Sequence, residues 1–323
     1  MHAFQQLDFK KGTSLLSEVF FPIEKTSLIT HNNINKDLNG IAIENYFAIV
    51  NVSNKKILSI VSRNYHVITN QQAYELGKKA FIQLFPSVSS EDLIPFKVIA
   101  PTTKSFCHID LIHKDVNFTV WEQETWFPFI RITNSYNRTF ALSFELGFVR
   151  KLCSNGVIFD KKTIKVKYNH SRGSIPVDIS ADVSQLKKLE SEFIEHLLNL
   201  KRFHVHRKHS FPIICKALAL EWKLNPKSPE YDNQIKRLKK FKDKSNELTD
   251  VYMKSEGENA FAVMNVMTDL ISHQDIYSNI PLFSLRANQY YRRISNWMIE
   301  YCIEAEKRNF KIENYIEEYS YLI

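Results

Sequence analysis

Residues 106–146, FCHIDLIHKDVNFTVWEQETWFPFIRITNSYNRTFALSFEL, are the part of the chain that decides the fold class. Short runs of apolar, β-branched and aromatic residues follow one another, and polar turns at residues 114–115 and 135–137 separate them. Such a pattern is typical of successive antiparallel strands, and it extends from residue 95 to residue 169. We therefore expect a β-meander in this part of the chain.

The residues before the meander predict a hairpin and a helix. Tyr46–Val52 and Ile57–Ser62 are apolar runs separated by the polar residues 53–56, as in two paired strands. Residues 71–85 then place alanine, leucine and phenylalanine on one helical face, and Asn70 directly before them is the expected N-cap.

The hydrophobic period changes from that of strands to that of helices at Asp182. The predicted fold class is α+β, with an antiparallel β-meander and a helix in the N-terminal part and a helical C-terminal part. We expect an α+β sheet domain over residues 1–175 and a helical region over residues 176–323. Helical patterns in the second part cover residues 186–200, 211–223, 232–255, 258–273 and 285–309.

The composition excludes several classes of protein. Hydrophobic residues make up 44% of the 323 residues, which is enough for a large core and excludes wholesale disorder. The chain has no long apolar run and no signal-peptide pattern at its start, so we expect a cytoplasmic protein without a membrane partner. The four cysteines are far apart and no phosphate-loop or zinc-protease motif is present, so we predict no cofactor.

Four segments of the chain resemble segments of one family. Residues 62–70 (SRNYHVITN) are similar to its strand-to-helix junction, and residues 134–136 (NSY) to its N-S-Y-D-G turn, with Asn-Arg here in place of Asp-Gly. Residues 148–156 (FVRKLCSNG) resemble its most diagnostic run, R-x-x-C-S-N-G, and residues 260–273 resemble its C-terminal helix. The residues that carry this last match are Asn265, Thr268 and His273.

This is the prokaryotic phage/plasmid-like family that is catalogued as domain of unknown function 932. The similar segments run from residue 62 to residue 273, so the resemblance covers most of the chain. It implies that the gene belongs to a prophage, phage or plasmid, and it implies no reaction.

The basic residues are concentrated in one block. Residues 201–250 carry thirteen basic and six acidic side chains, so most of the net charge of +8 lies there. Such a block is typical of a nucleic-acid-binding surface, and also of a solvated helical face. The acidic residues 313–321 would weaken this surface if they neutralise it. We expect the phosphate contacts of this surface at Arg150, Lys151, Arg202, Arg207, Lys208, Lys236, Arg237, Lys239 and Lys240.

Three other candidate sites compete with this interpretation. His204, His206 and His209 have a spacing that binds zinc in some proteins, but no carboxylate lies near them in sequence and neighbouring cations repel a metal ion. We therefore predict no metal there. Cys153, in the run Cys-Ser-Asn-Gly, is either a nucleophile or part of a turn, and Asn-Gly favours the turn. Four carboxylates suit either a divalent-metal nuclease site or the rim of a hairpin: Asp110, Asp115, Glu122 and Glu124.

The whole sequence predicts a non-catalytic DNA-binding protein of a mobile genetic element, acting in recombination, replication or evasion of host defence. The expected partner is single- or double-stranded DNA. A module that binds and inhibits a host protein is the second hypothesis, a metal-dependent nuclease is the third, and a homo-oligomer is compatible with each. Residues that would either stack on unpaired bases or lie in the core are Tyr65, His66, Trp121, Trp126, Phe127, Tyr136 and Arg138.

Overall fold

The computed structural model of the chain describes residues 16–30, 42–151, 156–159, 164–167, 178–181, 183–222, 224, 226–272 and 287–322. Within these residues the fold is α+β, as the sequence predicts, with antiparallel strands and one helix up to residue 181 and helices after it. The strands are β1 (Ile23–Ile29), β2 (Ala42–Asn51), β3 (Lys56–Ser62), β4 (Leu93–Ile99), β5 (Phe106–His113), β6 (Phe118–Trp121), β7 (Glu124–Ser135), β8 (Ser143–Arg150), β9 (Gly156–Ile158), β10 (Ile164–Lys167) and β11 (Asp178–Ala181). The α-helices are α1 (Asn70–Leu84), α2 (Val183–Arg202), α3 (Arg207–Ala217), α4 (Tyr231–Glu256), α5 (Ala260–Ser272), α6 (Ala287–Ala305) and α7 (Ile312–Tyr315), and short 3-10 helices cover Ser90–Asp92 and Glu317–Leu322.

A six-stranded antiparallel sheet forms the centre of the molecule. Its strand order is β4-β5-β7-β8-β9, and β6 also pairs with β7. The pairs Asp110–Arg131 and Trp126–Arg150 define the register of β7 with its two long neighbours. Every residue of β5 is buried, although polar residues alternate with apolar ones in its sequence. Both faces of the sheet are therefore covered.

Helices α1 and α2 lie on one face of this sheet, and α6 lies on the other. Ile132 and Trp126 point to the same side of β7, where they meet α1 and α2. Arg131 points the opposite way and lies against the ring of Tyr291 in α6. The close approach of α1 requires a glycine, because a Cβ at Gly77 would stand 2.1 Å from the Cδ1 atom of Ile132.

The N-cap of α1 is Thr69 and not Asn70 as the sequence analysis expects. The Thr69 hydroxyl accepts a hydrogen bond from the backbone N–H of Gln72, and the Gln72 side chain accepts one from the Thr69 N–H. This reciprocal pair is a capping box. Asn70 is instead buried, where its side chain donates to the carbonyl of Val19 and accepts from Asn134.

The sheet and the helices share one hydrophobic core. The ring of Phe193 in α2 is fully buried and lies 4.7–5.5 Å from the rings of Trp126, Phe148 and Phe159. Helix α5 is buried on all sides. Even so, no helix in the described part of the chain is both long and apolar enough to cross a bilayer. The expected domain boundary at residue 175 lies outside the described residues, so the division into two domains stays a prediction.

Strands β1, β2 and β3 form a separate antiparallel sheet, and its β2–β3 hairpin is the one that the sequence predicts. A small core of Ile49, Val61 and Tyr136 lies under this sheet. The Tyr136 hydroxyl accepts a hydrogen bond from the backbone N–H of Asn70, at 3.0 Å. This bond joins the turn after β7 to the start of α1.

We predict that Phe193→Ala lowers the free energy of unfolding by about 3–5 kcal/mol, because it leaves a cavity between α2 and the sheet. Leu198→Ala is the matched control on the same helix. Its side chain is 44% exposed, so the free energy of unfolding should change by no more than about 0.5 kcal/mol. Urea denaturation followed by circular dichroism measures both changes, and an equal loss in the two variants would contradict this packing.

Candidate functional site

Three cations of the basic block have ion pairs, namely Lys201, Arg207 and Lys244, the last with Glu247 in the same helix. Lys201, at the end of α2, pairs with Glu256, and their Nζ and Oε2 atoms are 2.8 Å apart. Arg207, at the start of α3, makes two hydrogen bonds to Asp250 of α4, one of them 2.8 Å long. Arg207, which is one of the predicted phosphate contacts, therefore already has an acidic partner in the fold.

Two further cations of the block bind residues 312–322, which we call the C-terminal segment. Lys216 donates to the backbone carbonyl of Tyr315 and lies 4.0 Å from the centre of its ring. Lys242 donates to the backbone carbonyl of Leu322. The C-terminal segment is therefore docked on α3 and α4. These two lysines bind its backbone carbonyls.

Four of the cations that stay exposed without an ion pair lie in the N-terminal half of α4. Lys236, Arg237, Lys239 and Lys240 are all exposed, and none of them pairs with an acidic side chain among the described residues. Phe241 anchors this half of the helix, since its ring is fully buried. We call the four cations the α4 basic cluster.

The other predicted phosphate contacts lie apart from the α4 basic cluster. Arg202 is exposed at the end of α2, Lys208 is exposed in the first turn of α3, and Lys151 is exposed directly after β8. The ion pair of Arg207 with α4 places the start of α3 about 15 Å along that helix from Lys240. The basic residues thus form separate patches on the surface.

Arg150, which the sequence analysis places on the phosphate surface, is buried instead. Its side chain is 1% exposed, and its guanidinium makes two hydrogen bonds to the Glu124 carboxylate, of 2.7 and 2.6 Å. The same guanidinium donates to Glu256 at 2.6 Å and to the amide oxygen of Asn265 at 3.1 Å. The prediction for Arg150 is wrong, because its charge is used inside the fold.

Two cations, Arg150 and Lys201, lie together with two carboxylates, Glu124 and Glu256. We call these four side chains the Arg150 cluster. Burial acts to raise the pKa of Glu256, but Arg150 and Lys201 outweigh it and hold that pKa below its usual range. Burial raises the pKa of Glu124, although the bond to Arg150 opposes the shift. Such a cluster is stable only while each charge keeps its partners, because removing one leaves another buried without compensation.

The carboxylates considered for a nuclease site do not come together. Asp110 is buried and makes hydrogen bonds of 2.6 and 2.5 Å to Arg131, and Glu124 belongs to the Arg150 cluster. Asp115 and Glu122 are exposed in two different turns. These four carboxylates therefore form no shared site among the described residues, since the two that lie in the sheet already bind arginine, and the metal-dependent nuclease stays a hypothesis.

The histidines of residues 204–209 divide between the surface and the interior. His204 and His206 are exposed, and the exposed carboxylate of Glu258 lies beside both. His209 is buried, and burial lowers its pKa although Glu313 opposes the shift. In the described part of the chain, His204, His206 and Glu258 are the one group of potential metal ligands that come together. Glu258 is distant from both histidines in sequence and comes from the short connection between α4 and α5.

The candidates for base stacking are mostly core residues. Trp126, Phe127 and Tyr136 are buried, and Trp121 is half-buried with the Lys201 ammonium 5.5 Å from its ring centre. The three buried rings have no free face for a base. Of the other candidates, Tyr65 is half-buried, and His66 and Arg138 are exposed. The residues around Cys153 lie outside the described part of the chain, so both interpretations of that run remain predictions.

The segments that carry the family resemblance meet in pairs. Asn134 donates to Asn70 at 2.8 Å, which joins the second segment to the first, and Arg150 donates to Asn265, which joins the third to the fourth. All four side chains are buried and support the fold. No protein-family model matches the chain, and neither a curated protein nor a solved structure is significantly similar to it. The family resemblance stays a prediction.

We predict that Arg150→Met lowers the free energy of unfolding by about 3–5 kcal/mol, because Glu124 and Glu256 then lose their shared counter-charge. Lys151→Met removes the exposed cation next to it and should change this free energy by no more than about 0.5 kcal/mol. Urea denaturation at neutral pH measures both variants. Equal stability of the two would show that the guanidinium does not hold the sheet to the helices.

Proposed function

We propose that the protein binds the phosphate backbone of nucleic acid through the α4 basic cluster. The observation that carries the proposal is the contrast between two kinds of cation in one block. Ion pairs hold Lys201 and Arg207, whereas the four cations of the α4 basic cluster are exposed and have no acidic partner among the described residues. We propose that the protein acts in the cytoplasm and that its gene belongs to a prophage, phage or plasmid, the gene context that the family resemblance implies.

The spacing of the α4 basic cluster suits a row of phosphates. Lys236 and the pair Lys239 and Lys240 are three and four residues apart, so they project from one side of the helix. They span about 6 Å along its axis, a length over which duplex DNA carries roughly three to four charges. Each lysine that neutralises a phosphate releases counterions, so we expect binding to weaken as salt rises.

Contacts of this kind position nucleic acid without reading its sequence. Proteins that prefer single strands usually stack unpaired bases on aromatic rings, and Trp126, Phe127 and Tyr136 are buried here. We therefore propose binding to both single- and double-stranded DNA. Recombination, replication and evasion of host defence are the processes that such binding would serve, and the proposal includes no catalytic step.

A protein partner is the second candidate, and the sheet of β1, β2 and β3 favours it. Ile57 and Ile60 of β3 are 60% and 58% exposed, and Tyr46 of β2 is 52% exposed. Clustered apolar side chains at a surface are typical of protein interaction sites. Under this hypothesis the α4 basic cluster is a solvated helical face, and the protein does not bind DNA.

We predict that the protein binds labelled DNA with an affinity that falls as salt rises, and that Lys239→Ala/Lys240→Ala weakens both the affinity and its dependence on salt. Each lost phosphate contact should flatten the slope of log affinity against log salt by about 0.9 for duplex DNA and about 0.7 for single strands. Fluorescence anisotropy over a salt series measures both quantities. The matched control is Lys187→Ala/Lys188→Ala, which removes an exposed lysine pair from α2.

Circular dichroism of both double variants should equal that of the wild type, because all four lysines are exposed. Equal slopes in the two double variants would place the binding surface away from α4. Absence of binding at low salt would contradict the proposal and favour the protein partner.

A further inference from the structure

Three potential metal-ligand atoms lie at the corners of a small triangle on the surface. The Nε2 atom of His204 is 3.2 Å from the Nδ1 atom of His206. The Oε2 atom of Glu258 is 3.8 Å from the first nitrogen and 3.5 Å from the second. All three side chains are exposed, so an ion reaches them directly from solvent.

This triangle has the size that a zinc ion requires. Zinc binds imidazole nitrogen and carboxylate oxygen at about 2.0–2.2 Å, so two ligand atoms of a tetrahedral site lie about 3.3–3.5 Å apart. The three distances here differ from that range by only a few tenths of an ångström. Two histidines and one glutamate are also a ligand set that zinc accepts, with a fourth position left for water.

The backbone holds these residues together before any ion binds. His204 forms an antiparallel bridge with Asn259, and the N–H of Ala260 donates to the carbonyl of Phe203 at 2.9 Å. The ring centres of His204 and His206 are 4.4 Å apart, and the backbone of His206 is extended. Because the backbone is already ordered, binding has to restrict only side-chain torsions.

The cations near the triangle do not prevent binding, because the fold neutralises several of them. Ion pairs with acidic residues occupy Arg207 and Lys201. His209 is buried and lies beside the Glu313 carboxylate. Arg202 and Lys208 are exposed, and solvent and salt screen their charges. Glu258 supplies the negative charge that the sequence argument found missing.

We propose that His204, His206 and Glu258 form a zinc site in which a water molecule is the fourth ligand. The bound ion would link the loop between α2 and α3 to the loop between α4 and α5. It would therefore stabilise the folded state by an amount that rises with the logarithm of its free concentration relative to its Kd. The site shares no residue with the α4 basic cluster, so it is independent of the proposed DNA binding.

The test uses the full chain, prepared without a polyhistidine tag and stripped of metal by a chelator. Zinc(II) is titrated in competition with a chromophoric chelator, and cobalt(II) is titrated while its visible absorption is recorded. We expect about one equivalent of either metal and a cobalt spectrum of tetrahedral type. His204→Ala and Glu258→Gln should each weaken binding at least about tenfold. His66→Ala, which removes an exposed histidine from another part of the chain, should leave binding unchanged.

The melting temperature gives a second readout that separates binding from folding. Without metal, the three variants should have the same melting temperature as the wild type, because all three substituted side chains are exposed. With zinc, only the wild type and His66→Ala should gain stability. Zinc binding that His204→Ala and Glu258→Gln leave unchanged would overturn the proposal, and so would absence of binding to the wild type.

Discussion

The hydrogen-bonded ion pairs of Arg150 join the sheet to the helical half of the structure. The guanidinium, at the end of β8, binds Glu124 of β7, Glu256 at the last residue of α4 and Asn265 in α5. Moving such charges out of water costs several kcal/mol for each ion, so the arrangement is stable only because every partner is present. The placement of α4 and α5 against the sheet depends on this side chain.

The anchoring of α4 at its C-terminal end explains where the helix displays its charge. The helix has 26 residues and is about 39 Å long. Leu248 and Tyr252 pack its C-terminal half into the core, whereas its N-terminal half buries only Phe241. The exposed cations of the α4 basic cluster lie in this less buried half. Arg150 is thus paired where the helices meet the sheet, whereas the α4 basic cluster has no ion pair in the half of α4 that buries only Phe241.

Local patterns predict the elements of this protein but not its charge pairs. Hydrophobic periods reflect the geometry of neighbouring residues, and the α+β order of strands and helices is confirmed. Thr69 also begins a capping-box sequence that marks the start of α1. Arg150, in contrast, stands before a lysine at the end of a strand, and this position in the sequence indicates a surface residue. Its partner Glu256 is 106 residues away in sequence. The carboxylate beside His204 belongs to a distant segment too, so only the folded chain shows either cluster.

The most direct test of whether the protein binds DNA through the α4 basic cluster is hydrogen–deuterium exchange. It is measured with and without a DNA oligonucleotide at low salt. The N-terminal half of α4 has few buried side chains, so its amides exchange by local opening, and a bound ligand should oppose that opening. We predict that DNA slows exchange over residues 231–244 and leaves it unchanged over residues 42–62. Protection confined to residues 42–62, with none over residues 231–244, would contradict this assignment.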